Sequence, residues 1–518
     1  MIKLLLLSTV LLALCLGKVE NAKILCVLGF PAHSHFIMFR SLLEELSRKG
    51  HEVDVVTALQ KPNSTRLNFI KIPNILEEAG EEFNVQDARM LSVHEMMEMI
   101  LASHDRNFNI CSNLFSTKEM RNFKDTDKKY DLLIFEVFAY DCIFGFAHKY
   151  KVPVIALTSS VNLPWGANRI GNPDNPSYIP TYFRDLLPEM TLYERILNTF
   201  TLLHAKLLHY KYLQIQDEEA RKFFGEDMPY LEDIVSNTSL FIVNSHFSLD
   251  QARPNVPNFV EAAGLHINEV KPLDSDLQDI LGDSKFIYFS IGTVLSSDTI
   301  PLEKLQNICD AFDILNYKVL WKTDRKKLPK GLRIPSNVNT QEWVPQLDIL
   351  CNPNILFFFT HSGLLGTQEA IYCGVPMLSI PIFADQHLNS KNMVSKGVAL
   401  HVIMEEFTQE EIIFKMRDLI ENPKYKDNAM SLSIMFKDRP NKPLDEAVYW
   451  IEYVLRYKGA PQLRSRAADM AWYQYYLVDI TSVVVLSLSV FSFIIYRLVK
   501  FFLGVHLNIK FEPKYKNL

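Results

Sequence analysis

Thr360-His361-Ser362-Gly363-Leu364-Leu365-Gly366-Thr367-Gln368-Glu369-Ala370-Ile371-Tyr372-Cys373-Gly374-Val375-Pro376 is the stretch on which the reading of this chain turns. An apolar, strand-like run over residues 355–360 leads straight into its small residues, and a helical pattern follows. Such a junction leaves backbone N–H groups unpaired at a helix N-terminus, where the helix dipole favours an anion. Gly363 and Gly366 let an anion approach the backbone closely, and His361 can donate to it. Glu369 lies two turns on from Ser362, where a carboxylate can accept from ribose hydroxyls.

Around this junction an α/β rhythm is legible on both sides. Residues 286–291, 318–322 and 377–380 are strand-like and are separated by helical stretches. Nearer the start, a strand over 23–30 meets a loop at 31–34. A helix over 36–49 follows, with Phe36, Phe39, Leu42, Leu43 and Leu46 at helical spacing and Gly50 as its stop. A strand over 52–57 completes a βαβ unit, which implies an open parallel sheet. The rhythm returns at 130–135 (strand), 141–151 (helix) and 154–158 (strand). Residues 185–224 read as helical, 264–282 as a polar connector and 444–457 as a closing helix. Two doubly wound halves place a ligand in the cleft between them.

Composition and termini bound the setting. A chain of 518 residues is long for one core, and its net charge of −6 argues against a nucleic-acid surface. Lys3, an apolar run over 4–16 and the small-residue step at Gly17 read as a secretory signal peptide. An uncharged run over 480–496, extended past Arg497 and Lys500, reads as a membrane-spanning helix, with Trp472, Tyr473, Tyr475 and Tyr476 as interface aromatics. Lys510, Lys514 and Lys516 place the tail in the cytosol by the positive-inside bias, which makes the chain type I with a lumenal body. The last five residues resemble a dilysine retrieval signal of the endoplasmic reticulum, although ordinary positive-inside lysines explain them as well. Sequons at Asn63 and Asn237 fit a lumenal body. The cysteines show no disulfide framework and no CxxC pattern; Cys26, Cys142 and Cys373 read as small buried hydrophobes.

From Trp343-Val344-Pro345-Gln346 to Asp385-Gln386 the sequence resembles the signature of the UDP-glycosyltransferase family, in its animal and especially insect-type phrasing. The likeness extends to Ser34-His35-Phe36, the Ser290-Ile291-Gly292-Thr293 turn and both termini. It implies a GT-B fold, two Rossmann-like domains facing across a cleft plus one C-terminal transmembrane helix. The parts expected are a signal peptide (1–17), an acceptor-binding domain (18–264), a connector (265–282), a UDP-sugar domain (283–460), a transmembrane helix (478–502) and a cytosolic tail (503–518). The end of the body would pack back on the first domain. By this resemblance Trp343 would stack on uracil and Gln346 would contact the nucleoside. Ser290, Gly292, Thr293, His361, Gly363 and Gly366 would surround the diphosphate. Glu369 would hold the ribose, and Asp385 with Gln386 the sugar hydroxyls. Ser362 and Leu365 stand where many relatives have glycine and asparagine.

An acceptor hydroxyl needs a base to take its proton. His35 follows the first strand and Asp141 follows the 130–135 strand, so both belong to one sheet edge. Asp141 is expected to orient His35, as the family's His–Asp pairing also implies. His33 is the rival histidine, and Glu136 is a second carboxylate near the edge. The expected reaction is inverting hexosyl transfer from UDP-glucose to a hydroxyl of a small lipophilic acceptor. UDP-glucuronate as donor, a catalytically idle lipophile-binding relative and a UDP-sugar epimerase are the alternatives. Phe83, Phe108, Phe115, Trp165, Tyr178, Tyr182 and Phe183 are the aromatic candidates for the acceptor side. No cofactor and no metal is expected: Asp274-Ser275-Asp276 is a literal DxD, but it falls in the polar connector. The UDP-sugar is a co-substrate, and a homo-oligomer stays open.

Overall fold

Unbroken apolar runs such as Ile24 to Leu28 and Phe286 to Phe289 are what a parallel sheet covered on both faces requires, and each forms a central strand. The computed structural model describes residues 21–59, 61–73, 91–101, 104–105, 108–138, 140–293 and 297–509. The signal segment, Phe83 and the tail lysines Lys510, Lys514 and Lys516 lie outside them.

The first sheet is made of β1 (Lys23–Leu28), β2 (Glu52–Thr57), β3 (Leu67–Lys71), β4 (Leu132–Glu136), β5 (Val154–Thr158), β6 (Leu240–Val243) and β7 (Phe259–Glu261). All pairings are parallel and the order is β3-β2-β1-β4-β5-β6-β7. Alternate residues of β1 enter opposite cores: Leu25 and Val27 one, Ile24, Cys26 and Leu28 the other. Helix α1 (His33–Arg48) covers the second face with Phe36, Phe39, Leu42, Leu43 and Leu46. It starts three residues before the expected residue 36, so His33 and His35 stand in its first turn rather than in a loop.

The second sheet holds β8 (Phe286–Ser290), β9 (Lys318–Lys322), β10 (Val338–Gln341), β11 (Ile355–Thr360), β12 (Met377–Ser379) and β13 (Ala399–His401), in the order β10-β9-β8-β11-β12-β13. Here Ile287 and Phe289 point to one core, Phe286 and Tyr288 to the other. Both sheets thus have the doubly wound order, reversing at β1/β4 and at β8/β11.

Other expectations need correction. The helix read over 185–224 is α2 (Leu192–Phe224), because Pro188 precedes it and Thr191 with Glu194 forms a capping box that fixes its start. The stretch read as a helix over 141–151 is a 3₁₀ turn, Cys142–Phe144, followed by a short helix, Gly145–Tyr150. The polar connector contains a helix, Ser275–Leu281, whose N-cap is Asp274: its carboxylate accepts from the Leu277 N–H, so the DxD pattern is a helix cap. Cys142 and Cys373 are not free hydrophobes but pair as Cys111–Cys142 and Cys351–Cys373, while Cys26 and Cys309 stay reduced and buried.

After the second sheet the chain returns to the first. The helix Pro443–Arg456 puts Ala447, Val448, Ile451 and Val454 into the same core as α1. Arg464 then donates to the Ser236 carbonyl, close to where the compact body ends at Ser465. The remaining unit carries a helix, Val478–Ile509, whose residues Val478–Leu503 are long and apolar enough to cross a membrane by length and composition.

Candidate active site

Ser290 and Thr360 end the adjacent strands β8 and β11 and pair with each other, so the loops after them open at the switch point of the second sheet. The His361 ring fills the space where side chains at two glycines would stand. A Cβ on Gly292 would come within 2.7 Å of it and one on Gly363 within 2.5 Å, and Gly292 also has φ +89°. Burial, and secondarily the charge of Lys322, pushes His361 down to about 4, so it is neutral and can donate one N–H. Ser362 sits at φ +64°, the turn that carries the chain into α3 (Leu364–Tyr372), whose N-cap is Gly363.

The residues expected at the nucleoside are also brought together. Trp343 is 63% exposed, which excludes a core-packing role, and the Lys322 ammonium lies 4.7 Å from its ring centroid. Gln346 donates to Glu369 (2.6 Å) and accepts from the Tyr288 hydroxyl (3.0 Å). Burial raises Glu369 to about 7, against the opposing effects of the Gln346 bond and Lys322. Beyond β12, Asp385 accepts from Asn389 (2.9 Å), which also donates to the Ser362 carbonyl (3.1 Å) and so ties the two loops together. The Gln386 side-chain oxygen accepts from the Ile382 and Phe383 N–H groups, which leaves its amide nitrogen for a ligand. Thr293 is exposed at the rim, and Gly366 packs against Gln346 and Phe358.

Across the cleft the expected His35–Asp141 pair does not form. His35 Nδ1 lies 2.5 Å from Glu136 Oε1, at the end of β4, and the Tyr140 hydroxyl donates to the other Glu136 oxygen (3.0 Å) while accepting from the Phe30 N–H (2.6 Å). Asp141 instead meets Arg169 (2.5 Å) and His209 (3.0 Å). Burial alone would raise its carboxyl, but the Arg169 charge and the bonds from both partners hold it well below the usual carboxylate range. The physical reason is direction: the chain turns after Glu136, so β4's last side chain faces β1's loop while Asp141 faces α2. His33 has no carboxylate partner among the described contacts, and burial with the charges of Lys61 and Lys322 lowers it.

Phe30 and Phe138 flank the His35 ring at 5.0 and 4.9 Å between centroids. The Trp165 indole N–H donates to the Phe138 carbonyl, and Trp165 stacks on His209 at 5.2 Å. Of the other aromatic candidates, Phe115 stacks on Phe223 inside the core, and Tyr182 and Phe183 are buried beside Trp165. Tyr178 is partly exposed. The two sides meet: Ala384, next to Asp385, packs against the first lobe's core. The start of α3 is held by that lobe too. Leu364 lies in one of its cores, Leu365 packs on the other, and the Gln368 side-chain oxygen accepts from the Gly264 N–H (3.0 Å).

Reading the sequence alone left out Lys322, Tyr288, Asn389, Tyr140 and the Arg169–His209 pair. Lys322 was reachable, because it ends the strand read over 318–322. The others act through tertiary contacts that carry no local pattern.

The family model described as "UDP-glucoronosyl and UDP-glucosyl transferase" matches residues 23–512. The chain belongs to the UDP-glycosyltransferase family. It is 37% identical over 504 residues to UDP-glycosyltransferase UGT5 of Dactylopius coccus, covering 95% of this chain and 92% of that protein. It is 35% identical to UDP-glucosyltransferase 2 of the same insect over 508 residues (95% of each). It is 30% identical to human UDP-glucuronosyltransferase 2B15 over 497 residues (90% and 91%). The crystal structure of the kitacinnamycin glycosyltransferase superposes with a TM-score of 0.55 at 17% identity, covering 84% of this chain and all of that one. Spinosyn forosaminyltransferase gives the same TM-score and coverage at 16%. These likenesses show the GT-B fold. As a UDP-glycosyltransferase the protein is a transferase that uses a UDP-sugar donor.

Proposed function

We propose that this enzyme transfers glucose from UDP-glucose, with inversion, to a hydroxyl of a small lipophilic acceptor. The observation that carries the reading is His35 held by Glu136 at the cleft, beside the Asp385 loop of the donor lobe. With Nδ1–H committed to Glu136, the tautomer leaves Nε2 free to accept the acceptor's proton. The deprotonating oxygen attacks the anomeric carbon as the bond to the UDP oxygen breaks on the opposite face. Negative charge then grows on the diphosphate, where His361 and the α3 N-terminus donate to it. Trp343 stacks on uracil, Glu369 accepts from the ribose, and Asp385 with the Gln386 amide holds the hexose. A carboxylate beside the sugar favours neutral glucose over glucuronate, whose own carboxylate it would repel.

The sequence reading of a cleaved signal, a lumenal body and residence in the endoplasmic reticulum is kept as part of this proposal. Two disulfides support an oxidising compartment, and the sequon residues Asn63 and Asn237 are exposed. Membranes carrying the chain, offered UDP-glucose, UDP-glucuronate and UDP-galactose with a broad phenolic acceptor, should form the glucoside fastest and keep that rate in EDTA. Glucuronide as the main product, or loss of turnover on chelation, would remove the donor assignment or the metal-free mechanism respectively.

A further inference from the structure

Helix α2 is apolar on both faces, and the body covers only one. Ala205, Leu208, Tyr212, Leu213 and Ala220 lie in the core of the first lobe. Opposite them Leu192, Ile196, Phe200, Leu203, Leu207 and Tyr210 recur at helical spacing, each 47–68% exposed. A helix apolar all round is ordinarily enclosed, by protein or by lipid. At helical rise this stripe runs for about 27 Å, far more than a scattered surface leucine.

The charges beside it are chiefly basic. From 192 to 211 the one carboxylate is Glu194, which is committed to the capping box with Thr191. Lys206 is paired with Asp174, and Arg195 and Lys211 remain exposed along the stripe. An aromatic and aliphatic face bordered by exposed basic residues is the pattern of a helix lying in a lipid interface.

We propose that the exposed face of α2 rests on the bilayer that the C-terminal helix enters. The proposal rests on reading Val478–Leu503 as a membrane span. The compact body ends at Ser465 and that span begins at Val478. A connection of this length reaches at most about 45 Å when fully extended, so the body is held near lipid at all times. The proximity raises the effective concentration of even a weak surface contact. The inner face of α2 carries His209, stacked on Trp165, whose indole bonds the Phe138 carbonyl beside His35. A lipid-resting α2 therefore backs the acceptor side of the cleft.

The full chain is assembled into nanodiscs of phosphatidylcholine with phosphatidylserine, carrying one environment-sensitive fluorophore on a new cysteine. The positions are Phe200→Cys, separately Leu207→Cys, and Ile314→Cys on an exposed site of the second lobe as control. Cys26 and Cys309 are buried and the other described cysteines are paired, which keeps the new thiol the accessible one among them. Discs made with lipids brominated on their acyl chains should quench the probes at 200 and 207 strongly and leave the probe at 314 unchanged. Unquenched probes at both stripe positions overturn the proposal. So does shielding that follows the number of chains per disc instead of bromination, since a second copy would then cover the face. A chain that stays out of the discs overturns both the membrane span and the proposal.

Discussion

Glu136 and Asp141 leave the same strand end in different directions, and their partners give them different work. Glu136 faces His35 and is steadied by Tyr140, whereas Asp141 balances a fully buried Arg169. Removing one partner of a buried ion pair leaves the other charge uncompensated, at a cost of roughly 3–5 kcal/mol. Asp141→Asn is therefore expected to lower the thermal midpoint sharply, read by differential scanning fluorimetry; an unchanged midpoint would mean the pair is not structural. Glu369 offers a second test at this scale. Burial raises it to about 7, and in the proposed ribose contact the accepting form is the carboxylate. UDP affinity measured by calorimetry should therefore rise between about pH 6 and pH 8, and Glu369→Gln should flatten that rise. An equal slope in both proteins would assign the titration to another group. His35 was legible in the sequence because it closely follows the carboxyl end of a parallel strand. Its partner was not, since which carboxylate a histidine meets depends on how the chain turns after residue 136. Arg169, which claims Asp141, sits in a 3₁₀ turn that no periodicity announces.

At the scale of elements, most central strands were readable because both faces are buried and the runs are continuous. β3, β6, β7, β10 and β13 were missed: four are sheet edges, and β6 is an interior strand of only four residues. Edge strands are short and partly wet, so their pattern is mixed; β10 reads Val338-Asn339-Thr340-Gln341. The disulfides were hidden for a related reason, since their partners stand 31 and 22 residues apart and are joined only by the fold. The start of α3 was read as an anion site, and it also serves as a joint between lobes. Leu364 enters one of the first lobe's cores and Leu365 packs on the other, which accounts for a large apolar residue at 365. Gln368 is fully buried there, and without its side chain the Gly264 N–H loses its partner. That costs roughly 1–3 kcal/mol. Gln368→Ala should lower the thermal midpoint and raise KM for the UDP-sugar, because α3 carries the phosphate site. A variant with both values unchanged would show that the lobes do not depend on this contact.

For the molecule as a whole, two sheets have matching order, and the proposed base stands at the β1/β4 switch point and the proposed diphosphate site at β8/β11. In the proposed reaction both sheets are needed: the first brings His35 held by Glu136, and the second brings His361 and the N-terminus of α3. The account's central claim is that the Glu136-braced His35 removes the acceptor proton while UDP is held independently across the cleft. The most direct test is kcat and UDP affinity for the full-length enzyme in membranes, as wild type, His35→Ala and Glu136→Gln. General-base catalysis of this kind is worth roughly 10²–10⁴-fold. The account predicts a kcat loss of that order in both variants, with UDP affinity and thermal midpoint close to wild type. Wild-type turnover in Glu136→Gln, or in His35→Ala, would contradict it.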